Sequence, residues 1–269
     1  MGAEAKPLRV LVVANQKGGV GKTTTAINLG TALAAVGEKV LLIDSDPQGT
    51  ASTGLGVGHA QRRVTLYDVF MNGRPLQEAV VKTALPGLDL TPAHADLSGL
   101  ELELGTQARR SFKLRDAIAP IRASGAYSYI LIDCPPSLNL LTVNAMAAAD
   151  AVLVPLQCEF FALEGLSQLM RTVELVRGNL NPALEIQGVV LTMYDKRNSL
   201  SEQVAKDVRS HFGETVYQTV IPRNVRVSEA PSFGKPVLVY DLKCAGSQAY
   251  LKLAREVVIR ERGRRAQAA

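Results

Sequence analysis

Residues 15–25, NQKGGVGKTTT, lie between a short apolar run and a helical pattern, and their spacing suits one kind of chemistry. Glycines at 18, 19 and 21 let backbone amides curl around an anion with no Cβ in the way. The start of the following helix adds its own partial positive charge. Strand, glycine-rich turn, Lys-Thr and helix together read as a phosphate-binding loop. Lys22 then reaches the β- and γ-phosphates, and the Thr23 hydroxyl ligates Mg²⁺. The competing reading is a glycine-rich turn that merely joins strand to helix.

Two further segments carry carboxylates at the ends of apolar runs. LLIDSDPQGT ends one run in Asp44 and Asp46, and YILID ends another in Asp133. Carboxylates beside a Mg-nucleotide can hold the metal's water shell and position an attacking water. Asp-Pro-Gln-Gly taken alone is also a plain turn, and strand-end aspartates are common. The set gains its meaning from appearing together with the loop.

The elements that must position these residues follow from hydrophobic patterning. Residues 9–14 (RVLVVA), 39–44 (KVLLID), 129–133, 151–155 (AVLVP) and 186–192 (IQGVVLT) read as buried strands, with residues 23–36 as the helix after the loop. Strands apolar on both faces and separated by helices predict a doubly wound α/β fold: a mostly parallel sheet with helices on both faces. Ligands of such folds sit at the carboxyl ends of the strands. Residues 50–99 are less regular and read as short helices and loops over one sheet edge. Residues 247–260 read as a last amphipathic helix. The expected organisation is one domain over residues 1–269, with 1–8 a short N-terminal arm and 261–269 a polar, frayed tail.

Composition sets bounds. In 269 residues, 47% are hydrophobic, there is no Trp, and the formal net charge is +5. The mild basicity suits an anionic partner or ordinary solubility. Cys134, Cys158 and Cys244 are too few and scattered for a disulfide framework or zinc cluster, and suit a reducing cytosol. No stretch approaches the roughly 18 consecutive apolar residues of a membrane span, so a soluble cytoplasmic protein without a membrane partner is expected.

The loop departs from the strict G-x-x-x-x-G-K-[ST] pattern: Gln16 stands where glycine is expected, and Lys17 adds a second lysine. It resembles the deviant Walker A motif, KGGxGK[ST], of partition ATPases, septum-site ATPases and nitrogenase iron protein. PLQCEFFALEGL (155–166), DPQG and RVSEAPSFGKPV (226–237) extend the resemblance, over nearly the whole chain, to the chromosomal ParA/Soj partition ATPases. The larger plasmid proteins carry an extra helix-turn-helix domain, which the short arm lacks.

The resemblance implies ATP and Mg²⁺ as cofactors. It implies an ATP-driven homodimer, non-specific double-stranded DNA on the nucleoid, and a ParB-type protein that stimulates a weak ATPase. The loop residues Lys17, Gly18, Gly19, Val20, Gly21, Lys22, Thr23 and Thr24 would then hold ATP. Lys17 would reach the partner's phosphates across the dimer, much as an arginine finger does. Lys17, Lys22 and Asp46 would be catalytic, with Asp46 orienting the water. Thr23, Asp44 and Asp133, the last as a Walker B carboxylate, would serve Mg²⁺. Adenine would meet the segment after a late strand, residues 220–224 (VIPRN), with Met193, Pro222 and Arg223 as candidates.

For DNA the candidates are Lys196, Arg197, Arg223 and Arg226, Arg197 being the residue onto which a family DNA arginine maps. Lys206 and Arg209 lie on the next helix. Two other readings share the phosphate chemistry. A MinD-like membrane-cycling ATPase needs a C-terminal helix whose apolar face enters lipid, and here nothing larger than alanine is apolar after Ile259. An iron–sulfur reductase needs a cysteine pair at a dimer axis, and neither Cys134 nor Cys158 lies in a cluster motif.

Overall fold

Alternate residues of the central strands fill opposite cores, which is why these runs tolerate no polar interruption. Val10 and Val12 enter one apolar cluster while Leu11 and Val13 enter the other; Ile130 and Ile132 divide from Tyr129 and Leu131 in the same way. The computed structural model describes residues 7–268. Its strands are β1 (Arg9–Val13), β2 (Val40–Asp44), β3 (Val81–Lys82), β4 (Leu88–Thr91), β5 (Tyr129–Asp133), β6 (Ala151–Gln157), β7 (Glu185–Tyr194) and β8 (Val216–Pro222). They form one sheet in the order β3-β4-β2-β5-β1-β6-β7-β8. Only the β3–β4 pair is antiparallel.

The helices are α1 (Lys22–Ala35), α2 (Thr50–Gly54), α3 (Leu66–Met71), α4 (Leu100–Leu104), α5 (Lys113–Ser124), α6 (Leu140–Ala148), α7 (Ala162–Asn179), α8 (Ser199–Phe212), α9 (Val225–Glu229), α10 (Val237–Tyr240) and α11 (Ala245–Ala268). Apolar residues of α1 and α11 join one face's cluster, and those of α5 to α8 join the other. The doubly wound, mostly parallel α/β reading therefore holds.

Register decides which strand ends meet. Asp44 of β2 lies beside Asp133 of β5, and Asp133 lies beside Val13 of β1, two residues before the glycine loop. Three chain segments far apart in sequence thus end at one place.

The structure corrects the expectation in three places. Residues 50–99 hold short helices, but also β3 and β4, which extend the sheet. β4 reads LDLT, and its Asp89 breaks the apolar run; Asp89 is nonetheless buried, accepting from Lys82 Nζ at 2.6 Å and Tyr127 OH at 2.6 Å. The adenine-side residues Val220, Ile221 and Pro222 belong to β8 itself rather than to a segment after it.

The third correction is the C-terminus. Residues 261–268 are not a frayed tail but the end of α11. Glu261 is buried against Arg9 at 3.2 Å, Arg264 donates to the Ile186 carbonyl at 3.1 Å and to Gln187 at 2.7 Å, and Arg265 donates to the Pro7 carbonyl. Charged residues here dock the helix instead of solvating it. Of the expected arm, Leu8 is buried, and residues 1–6 lie outside the described residues, as does residue 269.

β7 carries a bulge in which Ile186 pairs with Val152 and Gly188 with Leu153, leaving Gln187 extra. A Cβ on Gly188 would meet the Tyr217 ring at 2.6 Å and the Thr215 carbonyl at 2.9 Å. Both neighbours are held, so Gly188→Ala is expected to lower the unfolding free energy by about 1–3 kcal/mol. A urea titration showing an unchanged midpoint would mean that the bulge relaxes freely.

Candidate active site

The loop after β1 is shaped by bonds from other strand ends. The Asn15 side chain donates to the Pro155 carbonyl at 2.9 Å and accepts from the Lys17 amide at 3.0 Å. Thr192, near the end of β7, donates to the Val20 carbonyl at 2.9 Å. Gly19 (φ 75°) and Gly21 (φ 87°) take the left-handed backbone region that side chains disfavour. Gly21 caps α1 without any side-chain hydrogen bond, and the first turn of α1 holds no acid. The amides there are left for an anion.

Lys22 is 6% exposed, and its ammonium folds back onto the Lys17 carbonyl at 2.8 Å. Burial lowers its pKa, an effect opposed by the charges of Asp133, Cys134 and Asp46. Thr23 and Thr24 are half-buried beside it, while Lys17, Gly18 and Gly19 are exposed.

The three aspartates differ sharply in environment. Asp44 is fully buried; Ser52 holds one oxygen through its amide at 2.8 Å and its hydroxyl at 2.7 Å. Burial nevertheless pushes its pKa up to about 6. Asp133 is also fully buried, and neither carboxylate oxygen has a hydrogen-bond partner. Burial, with the charge of Asp44, raises its pKa well above the ordinary value; the adjacent Thr23 hydroxyl and Lys22 temper this. Thr23 does so from beside the carboxylate without closing a bond of good geometry. Asp46 caps its own turn, accepting from the Gln48 amide at 2.9 Å, and is buried but less completely, at 9% exposure.

An orphaned, buried carboxylate beside a threonine hydroxyl and a lysine suits Mg²⁺ carried by phosphate. Among the described residues no three His, Cys, Asp or Glu side chains group to hold a metal. Mg²⁺ requires no such cage, since it keeps its waters and takes one or two carboxylates plus substrate phosphate oxygens. Asp133 and Thr23 fit that set directly. Asp44, consumed by Ser52, fits it as a support.

Of the remaining candidates, all but Arg226 line one or both of two cavities. Met193 and Pro222 line a cavity of about 90 Å³ together with Gly21, Thr24, Arg223, Asn224 and Tyr250. Met193 is one of the two non-glycine residues with positive φ (50°) among the described residues, so the backbone is strained where the cavity opens. Lys196, Arg197 and Arg223 line a second groove of about 830 Å³, to which α11 adds Lys252. Arg197 is 88% exposed and held bidentately by Asp195 at 3.0 and 2.9 Å, which lowers the Asp195 pKa to about 2. Arg226 stands apart from the groove, paired with Glu229 at 3.0 Å and facing Asp241 at 3.7 Å. Arg209 on α8 donates to the Gln218 carbonyl.

Sequence reading missed the residues that hold the others. Lys17 is ion-paired with Glu159, in a segment noted only for its resemblance. Ser52, Thr192 and Asn15 carry no signal, because a serine or threonine reads alike whether or not a distant carboxylate awaits it. Cys134 and Cys158 are buried, with thiol pKa values pushed up by burial, to about 12 and about 11. Cys244 is only half-buried.

The glycine loop at the end of β1, with its second lysine and with aspartates on β2 and β5, defines a P-loop nucleoside triphosphatase of the deviant Walker A type. Residues 8–186 match the AAA_31 family, described as an AAA domain. Chromosome partitioning protein ParA of Caulobacter vibrioides is 78% identical over 98% of this chain and 99% of that protein. Sporulation initiation inhibitor protein Soj of Bacillus subtilis is 49% identical over 93% of this chain and 98% of its own length. A solved structure of cobyrinic acid a,c-diamide synthase from Mycobacterium smegmatis, with bound ADP and magnesium, superposes with a TM-score of 0.80 at 38% identity, covering 92% of this chain and 93% of its own. The chain belongs to the ParA/Soj family of chromosome-partitioning ATPases.

The raised Asp44 pKa has a consequence for stability. A carboxyl at about 6 in the folded chain and 3.8 unfolded binds its proton first in the fold. The stabilisation is full below the unfolded value and is lost as pH rises through about 6. It amounts to at most ~3 kcal/mol. Nucleotide-free protein is therefore expected to show a steeper fall in urea midpoint between pH 5 and 7 than its Asp44→Asn variant; parallel profiles would contradict the shift.

Proposed function

We propose that this chain is an ATP-driven DNA-partitioning switch. In this reading ATP and Mg²⁺ close a homodimer, the dimer holds non-specific duplex DNA on the nucleoid, and hydrolysis stimulated by a ParB-type partner releases it. The observation that carries the nucleotide half is the unpartnered Asp133 carboxylate beside Lys22 and Thr23, at the uncapped start of α1. A buried charge without a partner costs free energy that an arriving cation can recover. Mg²⁺ would supply charge neutralisation at the phosphate oxygens.

The protein's own groups then divide the work. Loop amides from Gly18 to Thr24 and the Lys22 ammonium bind phosphate. Thr23 and Asp133 hold the metal, with Asp44 behind them. Asp46, in the turn between β2 and α2, orients the attacking water. Lys17 leaves Glu159 to meet the phosphates of a second copy, bringing positive charge to where negative charge develops. The cavity of Met193, Pro222 and Arg223 suits the adenine. Related chains support both ligands: solved relatives are described with ADP or an ATP analogue and magnesium.

The groove of Lys196, Arg197 and Arg223 favours a polyanion read through its phosphates, hence sequence-tolerant and salt-dependent binding. A membrane-cycling role has less support. The end of α11, the segment such a role would put into lipid, is docked on β7 by Arg264. The test is binding to non-specific duplex DNA with ATP, ADP or no nucleotide at two salt concentrations, read together with dimer mass. An ATP dimer that ignores DNA but binds anionic vesicles would favour the membrane reading.

Two variants sharpen the test. Asp46→Ala is expected to keep ATP-dependent dimerisation and DNA binding while single-turnover hydrolysis falls ~100-fold or more; wild-type hydrolysis would remove Asp46 from the mechanism. Arg197→Glu is expected to leave the dimer intact, weaken DNA binding at least about tenfold at low salt, and flatten the salt dependence. Unchanged affinity would move the DNA face elsewhere.

A further inference from the structure

We propose that Arg62, which lies in none of the nucleotide motifs, is the positioning residue for Asp46. The proposal rests on the reading of Asp46 as the group that orients the attacking water. Arg62 is only 9% exposed, yet its guanidinium hydrogen bonds among the described residues all go to uncharged oxygens. It donates to the Val57 carbonyl at 3.1 and 2.9 Å, to the Thr53 hydroxyl at 2.8 Å and to the Gly49 carbonyl at 3.4 Å. These groups bracket α2 at both ends, so one side chain clamps the whole helix.

That helix and its entry turn hold two of the site's acids: α2 binds Asp44 through Ser52, and the turn contains Asp46. Ser52 on α2 makes both strong bonds to Asp44. The turn into α2 begins at Asp46, whose carbonyl accepts from the Gly49 amide at 2.9 Å and whose carboxylate accepts from Gln48. Gly49 ends the turn in the left-handed region (φ 62°), and a Cβ there would lie 2.5 Å from the Arg62 guanidinium. The backbone favours glycine here, and a side chain would displace the Arg62 guanidinium from its bonds. Burying a guanidinium against uncharged oxygens is costly, and a merely space-filling role would be served by an apolar chain. Nε and Nη2, fixed in one rigid fork, hold Gly49, Thr53 and Val57 at once; lysine offers a single flexible ammonium without that geometry and methionine offers no donor.

The test uses the full chain with Mg-ATP and non-specific duplex DNA, and reads single-turnover hydrolysis, ATP affinity and the urea midpoint together. Arg62→Met is expected to lower the hydrolysis rate about 10- to 100-fold while ATP affinity stays within about threefold. Arg62→Lys, which keeps the charge and one carbonyl contact, is expected to recover part of the rate. Adding Arg62→Met to Asp46→Ala is expected to cost nothing further, because both act through one group. Thr53→Val, a milder cut of the same clamp, is expected to slow hydrolysis in the same direction, and keeps the proposal testable should Arg62→Met not fold. Hydrolysis by folded Arg62→Met or by Thr53→Val within about twofold of wild type overturns the proposal, as does a double variant whose losses multiply. An Asp46→Ala protein that hydrolyses normally removes the reading of Asp46 itself; a dead Asp46→Ala beside a normal Arg62→Met removes only the role of Arg62.

Discussion

The buried Asp133 carboxylate and Lys22 ammonium feel each other's charge without forming an ion pair, and the rest of the site depends on that tension. Each is destabilised by burial and only partly relieved by the other's charge. Removing two charges from water costs more than a distant attraction returns. The fold must therefore supply the difference from its two apolar cores, and a polyanion with its cation can return it on binding. Stability and ligand affinity are linked at this point.

The same logic explains why the surroundings are so heavily braced. Asn15, Thr192, Ser52 and Arg62 are polar side chains used mainly to hold backbone and carboxylates in place. Thr192 also begins a continuous path: it bonds the loop at Val20, is followed by the strained Met193, and then by the groove residues Tyr194 to Arg197. Pro222 and Arg223 line both the small cavity and the basic groove. The small cavity and the basic groove share a wall, and ligands in two such sites are suited to mutual influence.

Surface charge plays a different part. The Asp195–Arg197 and Arg226–Glu229 pairs are solvated, and such pairs contribute little to stability. They can be exchanged for other partners at small cost. The buried charges at the strand ends cannot, so the molecule separates a fixed centre from an exchangeable rim.

Much of this was legible in the sequence. The glycine loop declared itself because its chemistry is local: positive φ, uncapped amides and a Lys-Thr start to a helix are encoded within eleven consecutive residues. Alternation of apolar residues between two cores made the central strands readable for the same reason. What escaped reading were elements whose burial is conferred by distant partners. β4 was missed because Asp89 is kept dry by Lys82 and Tyr127, and the end of α11 because Glu261 and Arg264 dock on β1 and β7. The meeting of Asp44 with Asp133, of Lys17 with Glu159, and of Arg62 with Gly49 was decided by strand register and packing alone. A residue type records what a side chain can bond to, and only the tertiary fold determines which group stands within reach.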